Sequence, residues 1–247
     1  MSEKRIQFMA HLVAGYPDLL TTEIMMKGIE NAGADSIELQ IPFSDPLADG
    51  PLISSANHQA LRNAITLKEI FRLLDRIAPS LPIPVFLMTY SNIVFQCGSS
   101  RFCSYCKKAG IKHLIVPDLP FDSKHALPLD LLQSFHIDLV PVLSPSMSRQ
   151  RLDAILSSHP RYVYTTLKTG ITGPEEEIQN QGFRFLKEIR EKGDFRIIAG
   201  FGLQSPSQIH FLKGYADIAV VGSHLLRLYN ESGSDAVFDF IRTYADV

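Results

Sequence analysis

The residues best placed to do chemistry are two carboxylates close together in the chain, Glu38 and Asp49. Ser36-Ile37-Glu38-Leu39-Gln40-Ile41 alternates polar and aliphatic side chains. A strand sends successive side chains to opposite faces, so Ile37, Leu39 and Ile41 form an apolar face while Ser36, Glu38 and Gln40 share the other. In a closed parallel barrel the aliphatic face packs on the surrounding helices, and Glu38 points inward near the C-terminal end of its strand, where such barrels keep their active sites. An acid there is poorly solvated, which suits it to proton transfer. The next stretch, Pro42-Phe43-Ser44-Asp45-Pro46-Leu47-Ala48-Asp49-Gly50-Pro51, holds three prolines that fix φ and remove amide donors. The loop is therefore stiff, and it presents Asp49 beside the first acid. A plainer alternative makes Asp45 and Asp49 turn formers and Glu38 an interior acid satisfied by hydrogen bonds.

A second group of residues suits an anion. Gly170-Ile171-Thr172-Gly173, Gly200-Phe201-Gly202 and Gly222-Ser223 follow the last three candidate strands. Glycine lets backbone amides approach phosphate oxygens, and a helix N-terminus favours the dianion. Ser223 adds a hydroxyl at the start of a helix. Three such turns at one end of adjacent strands predict a phosphate site, the common arrangement after the last strands of a barrel.

The elements that must position these groups alternate along the chain. Apolar runs bounded by turn signals predict strands over Phe8 to Val13, Ser36 to Gln40, Val85 to Met88, His113 to Val116, Asp138 to Val142, Tyr162 to Thr165, Arg196 to Ala199 and Ile218 to Val221. Helical patterns lie between them: Thr21 to Asn31, Leu67 to Ile77, Arg101 to Ala109, Arg149 to Leu156, Gly182 to Glu191, Ser205 to Leu212 and Leu225 to Tyr229. Asp235 to Tyr244 closes the outer ring. Thr66 with Glu69 reads as a capping box. The alternation predicts a (β/α)8 TIM barrel, a single domain over 1–247, with Ser54 to Asn63 as an extra helix in the second βα connection.

A chain of 247 residues, 45% of them hydrophobic, suits one such barrel. The net charge of −2, with Lys and Arg scattered, offers no stripe for nucleic acid or anionic lipid. No apolar run reaches a membrane span and the N-terminus has no signal-peptide core, so the expected location is cytoplasmic. Cys103 and Cys106 have a C-x-x-C spacing but no matching second pair, so Cys97, Cys103 and Cys106 are expected to be half-buried helix residues rather than metal ligands.

Glu38-Leu39 followed by Pro42 to Pro51 closely resembles the signature of the tryptophan synthase alpha chain family, whose fold is a (β/α)8 barrel. The likeness extends along nearly the whole chain, through Leu12-Val13-Ala14-Gly15-Tyr16-Pro17, Met88-Thr89-Tyr90-Ser91-Asn92, Val116-Pro117-Asp118-Leu119-Pro120 and the three glycine turns. The resemblance implies retro-aldol cleavage of indole-3-glycerol phosphate to indole and glyceraldehyde 3-phosphate, with no metal and no organic cofactor. It implies Glu38 as the acid–base residue and Asp49 as acceptor of the indole N–H. Tyr164 would position the glutamate, and Tyr90, Ile53, Met88, Ile115 and Pro117 would line the indole pocket. Gly173, Gly200, Phe201, Gly202, Gly222 and Ser223 would grip the phosphate beside a mobile loop carrying Gly170 and Thr172. The implied partner is the pyridoxal-phosphate beta chain, in an αββα heterotetramer.

Two positions differ from the family pattern. Gln40 stands where glycine is usual, able to bond Glu38, turn it aside or narrow the pocket. His11 stands where a bulky apolar residue is common. A charged His11 would weaken Glu38 as an acid, whereas a core histidine satisfied by backbone would not. Two rival readings remain: a Schiff-base aldolase using Lys168, and a catalytically weakened phosphate-binding activator subunit of the beta chain.

Overall fold

Nine short parallel strands, each with one face for the barrel interior and one for the helices, build the centre of this computed structural model. It describes residues 5–46, 49–119, 127–166, 175–200 and 211–245, together with 203, 205 and 209, and for 175–180 and 245 the backbone alone. The strands are β1 (Gln7–Val13), β2 (Ser36–Gln40), β3 (Val85–Met88), β4 (His113–Ile115), β5 (Asp138–Val140), β6 (Val142–Leu143), β7 (Tyr162–Thr166), β8 (Arg196–Gly200) and β9 (Ile218–Val221). Their order is β5-β4-β3-β2-β1-β9-β8-β7-β6, every pairing parallel.

The ninth strand comes from Pro141. The predicted strand Asp138 to Val142 is split there, because proline has no amide for the ladder. Val140 pairs with Ile115 on one side, and Val142 pairs with Tyr164 on the other. The two halves therefore join the ends of the sheet into a nearly closed barrel with helices around it, the (β/α)8 architecture expected.

The helices are α1 (Leu19–Asn31), α2 (Pro51–Arg62), α3 (Leu67–Ile77), α4 (Ser91–Cys97), α5 (Ser99–Lys108), α6 (Leu129–Ser134), α7 (Arg149–Leu156), α8 (Glu175–Lys192) and α9 (Ser223–Ala245). Their starts follow local chemistry. Asp18 accepts from the Thr21 amide at the head of α1, and Thr66 and Glu69 close the capping box of α3. α9 is two helical runs, broken at Gly233 where φ is 80°, in line with the separate patterns Leu225 to Tyr229 and Asp235 to Tyr244. α4 and α6 were not expected; each is short, and neither shows a full amphipathic period. The predicted helix Ser205 to Leu212 falls largely outside the described residues. No helix among the described residues is long and apolar enough to cross a membrane.

Two apolar layers result from the alternation. Phe8, Ile37, Leu39, Leu87, Leu114, Val163, Ile197, Ala219 and Val221 face the helices. Met9, Phe86, Met88, Ile115, Val140, Tyr162, Tyr164, Ile198, Ile218 and Val220 fill the barrel. Cys103 and Cys106 are fully buried on α5, correcting the half-buried expectation; only Cys97 is intermediate. Burial pushes the Cys103 thiol up to about 11, so it stays protonated and inert.

The turn from β1 to α1 has little room for change. Gly15 has φ of 80°, and a Cβ there would meet Ile65 Cγ1 at 2.8 Å. Gly15→Ala is expected to lower stability by about 1–3 kcal/mol through backbone strain and overpacking; a urea denaturation midpoint no lower than that of the parent would contradict this.

Candidate active site

The site begins with the register of two neighbouring strands. β1 and β2 pair His11 with Glu38 and Val13 with Gln40, so these four side chains project inward side by side. Glu38 is fully buried and His11 is 4% exposed. His11 Nδ1 lies 2.8 Å from Glu38 Oε2. The Tyr164 hydroxyl, coming from β7 across the barrel, donates to the same oxygen at 3.4 Å. Among the described residues, Glu38 Oε1 and His11 Nε2 have no hydrogen-bond partner. His11 is thus not a core histidine satisfied by backbone: its partner is the acid.

Gln40 makes a different choice from the one its position suggested. Its Nε2 donates to Asp49 Oδ2 at 2.6 Å and to Asn57 Oδ1 at 3.4 Å, rather than bonding Glu38. The amide is two residues beyond Glu38 on the same face, so it draws the loop carboxylate toward the barrel mouth. Asn57 completes the arrangement. Its Oδ1 accepts from the Phe43 amide at 2.9 Å and its Nδ2 reaches Asp49 at 3.4 Å. Asn57 was missed in the sequence, where the signal was only an amide among the small apolar residues Ala56 and Ala60; the fold buries it fully on α2, and a buried amide needs partners.

The loop around Asp49 is held by similar local contacts. Phe43 stacks on Tyr90 with ring centroids 4.7 Å apart, and Tyr90, at the N-cap of α4, also hydrogen-bonds Asp49. Asp45 is exposed and accepts from Ser44 at 2.6 Å, a turn-forming role. Leu47 and Ala48 lie outside the described residues.

Electrostatics separates the groups. For His11, burial opposes charge, but the Glu38 carboxylate and its hydrogen bond, then Asp49 and Gln40, outweigh it and hold the imidazole above its usual 6.5. Burial raises Asp49 above the ordinary aspartate value, partly offset by Gln40 and His11. The Tyr164 phenol is pushed well above 10 by burial and by the two nearby acids, so it acts only as a neutral donor.

Other predicted positions distribute as follows. Met88 and Ile115 are buried in the barrel interior, and Ile53 is partly buried against Val13, Ala56 and Leu226. Pro117 is half-buried just beyond β4. Gly200 ends β8, where a Cβ would come within 3.1 Å of the Tyr164 hydroxyl. Gly222 precedes Ser223, the first residue of α9, and its carbonyl accepts from the Leu226 amide at 3.0 Å. Gly170, Thr172, Gly173, Phe201, Gly202 and Lys168 lie outside the described residues. No three of His, Cys, Asp and Glu among the described residues are grouped to hold a metal ion.

The class defined is that of a (β/α)8-barrel protein whose interior holds a carboxylate–imidazole pair beside a second, loop-borne acid, groups able to give and take protons. The family model of the tryptophan synthase alpha chain matches residues 1–245. The alpha chain of Desulforapulum autotrophicum is 36% identical over 243 residues, covering 98% of this chain and 96% of its own. Among solved structures, the tryptophan synthase A-subunit from Pyrococcus furiosus superposes with a TM-score of 0.87 at 28% identity, with 98% of both chains covered. Aminoacrylate-bound tryptophan synthase from M. tuberculosis gives 0.87 at 26% identity, with 98% and 92% covered. The chain belongs to the tryptophan synthase alpha chain family, lyases that cleave indole-3-glycerol phosphate in tryptophan biosynthesis.

Proposed function

We propose that this chain, as a single barrel domain over 1–247, cleaves indole-3-glycerol phosphate to indole and glyceraldehyde 3-phosphate, with Glu38 and Asp49 as the catalytic residues. The carrying observation is their placement: one acid buried in the barrel wall, the other tied to the same inward face through Gln40 at 2.6 Å. Breaking a carbon–carbon bond to an indole ring needs a sink for the electron pair. Protonation of ring C3 creates it, and a carboxyl group within the barrel is suited to deliver that proton. The same carboxylate then takes the proton of the side-chain hydroxyl as the bond opens and the aldehyde forms. Asp49 accepts the indole N–H and stabilises the cationic ring. Two acids in different surroundings divide the two tasks.

Tyr164, donating to Glu38, holds its orientation. Tyr90, Ile53, Met88 and Ile115 supply the apolar walls. The phosphate is held by the amides of Gly173, Gly200, Phe201, Gly202 and Gly222 with the Ser223 hydroxyl, at the N-terminus of α9. The loop with Gly170 and Thr172 closes over the bound substrate. The protein works in the cytoplasm with a pyridoxal-phosphate beta chain in an αββα heterotetramer, and needs no cofactor of its own.

The test is direct. Purified chain, alone and with a beta chain, is given indole-3-glycerol phosphate, and indole and glyceraldehyde 3-phosphate are quantified. Equal amounts of both products, released faster with the beta chain, are expected; no indole in either case would overturn the proposal.

A further inference from the structure

His11 is bound into the site more tightly than a packing residue needs to be. Its contact with Glu38 is set by the parallel register that pairs the two backbones, not by reach of a long side chain. On the other side the turn at Gly222 leaves the ring room: a Cβ at that position would come within 3.2 Å of His11 Cβ, Cγ and Cδ2. The imidazole therefore lies between β2 and the turn after β9, with Nδ1 2.8 Å from Glu38 Oε2. One oxygen of Glu38 is engaged twice, by His11 and Tyr164, while Oε1 is buried without a partner among the described residues. Leaving a buried carboxylate oxygen unpaired costs free energy, so this asymmetry is not explained by stability.

We propose that His11 is a positioning residue that shares one proton with Glu38 and holds the carboxyl so that Oε1 is the oxygen presented to substrate. The proposal rests on reading Glu38 as the acid–base group of indole-3-glycerol phosphate cleavage. The proton balance closes. One proton resides on the His11–Glu38 pair at the start. It passes from Glu38 to ring C3, leaving neutral imidazole and carboxylate. As the carbon–carbon bond breaks, its electron pair returns to the ring, the hydroxyl proton goes to Glu38, and the pair regains its shared proton.

The charges around the ring suit this role. Glu38 on β2 and Asp49 on the following loop face it, and both favour its protonated form. Tyr164 from β7 is neutral at the same oxygen. Gly222 brings no side chain, and among the described residues the small cavity His11 borders adds only Tyr16 and Tyr229 as titratable groups. A plain carboxylic acid must hold its proton alone, whereas the pair keeps one to higher pH because its imidazole binds it above 6.5.

The experiment compares kcat and KM for indole release across pH in the complex with the beta chain, for the parent, His11→Phe and His11→Gln. In the parent, kcat is expected to fall on an alkaline limb as the pair loses its shared proton. His11→Phe should move that limb down by about one pH unit or more, lowering kcat more than KM. His11→Gln, which keeps a hydrogen bond but cannot titrate, should show the same displaced limb. In parallel, a ring-nitrogen NMR titration should find His11 losing its proton at higher pH in the parent than in Glu38→Gln. Variant profiles parallel to the parent's, or a His11 that titrates no higher in the parent than in Glu38→Gln, would overturn the inference. The underlying reading fails separately: Glu38→Gln retaining full turnover would remove Glu38 as the acid–base group, and the His11 role with it, whereas an inactive Glu38→Gln with parallel His11 profiles removes only the latter.

Discussion

Glu38→Gln is expected to lower kcat/KM for indole release by roughly 10²–10⁴-fold, the range that a positioned general acid–base group supplies. The substitution keeps size and shape, so the loss reports the proton rather than the packing. The fold should survive, for a reason specific to the partner. Removing one member of a buried ion pair is severe when the other cannot discharge; imidazole can simply release its proton. The sign of the pH dependence follows. His11 is held above 6.5 in the folded protein, so its protonated form adds stability that is full below 6.5 and fades as pH rises through the raised folded value. Glu38→Gln should therefore lose stability relative to the parent mainly at the acid end of that window, with the gap narrowing above it. Urea midpoints measured across pH check this; a gap that widens with rising pH would contradict it.

Asp49→Asn is expected to separate activity from stability. Turnover should fall by roughly 10²-fold or more, because a neutral amide cannot offset the charge of the protonated indole as a carboxylate does. Stability should move the other way. Burial raises Asp49 above 3.8, and an acid with a raised folded value costs stability wherever it is ionised: the cost is absent below the unfolded value and complete above the folded one. At neutral pH the aspartate is therefore a burden that asparagine removes, while its oxygen still accepts from Gln40. A variant that is nearly inactive and at least as resistant to urea as the parent is the expected result. A large loss of stability would mean that Asp49 supports the loop rather than the reaction. Such opposition of stability and activity is common where a site holds groups for chemistry.

The same electrostatic logic explains why parts of this site could be read early and others could not. Glu38 was legible because strand alternation is local: five residues from Ser36 to Gln40 suffice to place the acid opposite Ile37 and Leu39. Asp49 was legible from the prolines around it, which stiffen the loop whatever it packs on. His11 and Gln40 were visible as unusual residues, but not their partners. His11 had a choice between backbone and Glu38; Gln40 had a choice between Glu38, Asp49 and Asn57. Each choice depends on distances of a few tenths of an ångström between groups from separate elements, and hydrogen bonds weaken steeply outside that range.

Pro141 shows the same division on the scale of the fold. Period-two and helical patterns determined by themselves that strands and helices alternate, that the sheet is parallel and that it forms a barrel, because each pattern is set by neighbouring residues and burial on one face. Whether one strand spans Asp138 to Val142 or breaks at its proline was decided only in the tertiary structure, where Val140 and Val142 must serve different neighbours. The pairing of His11 with Glu38 was decided there too, since 27 residues separate them in the chain and only the register of β1 against β2 brings a base to an acid inside a wall of aliphatic side chains.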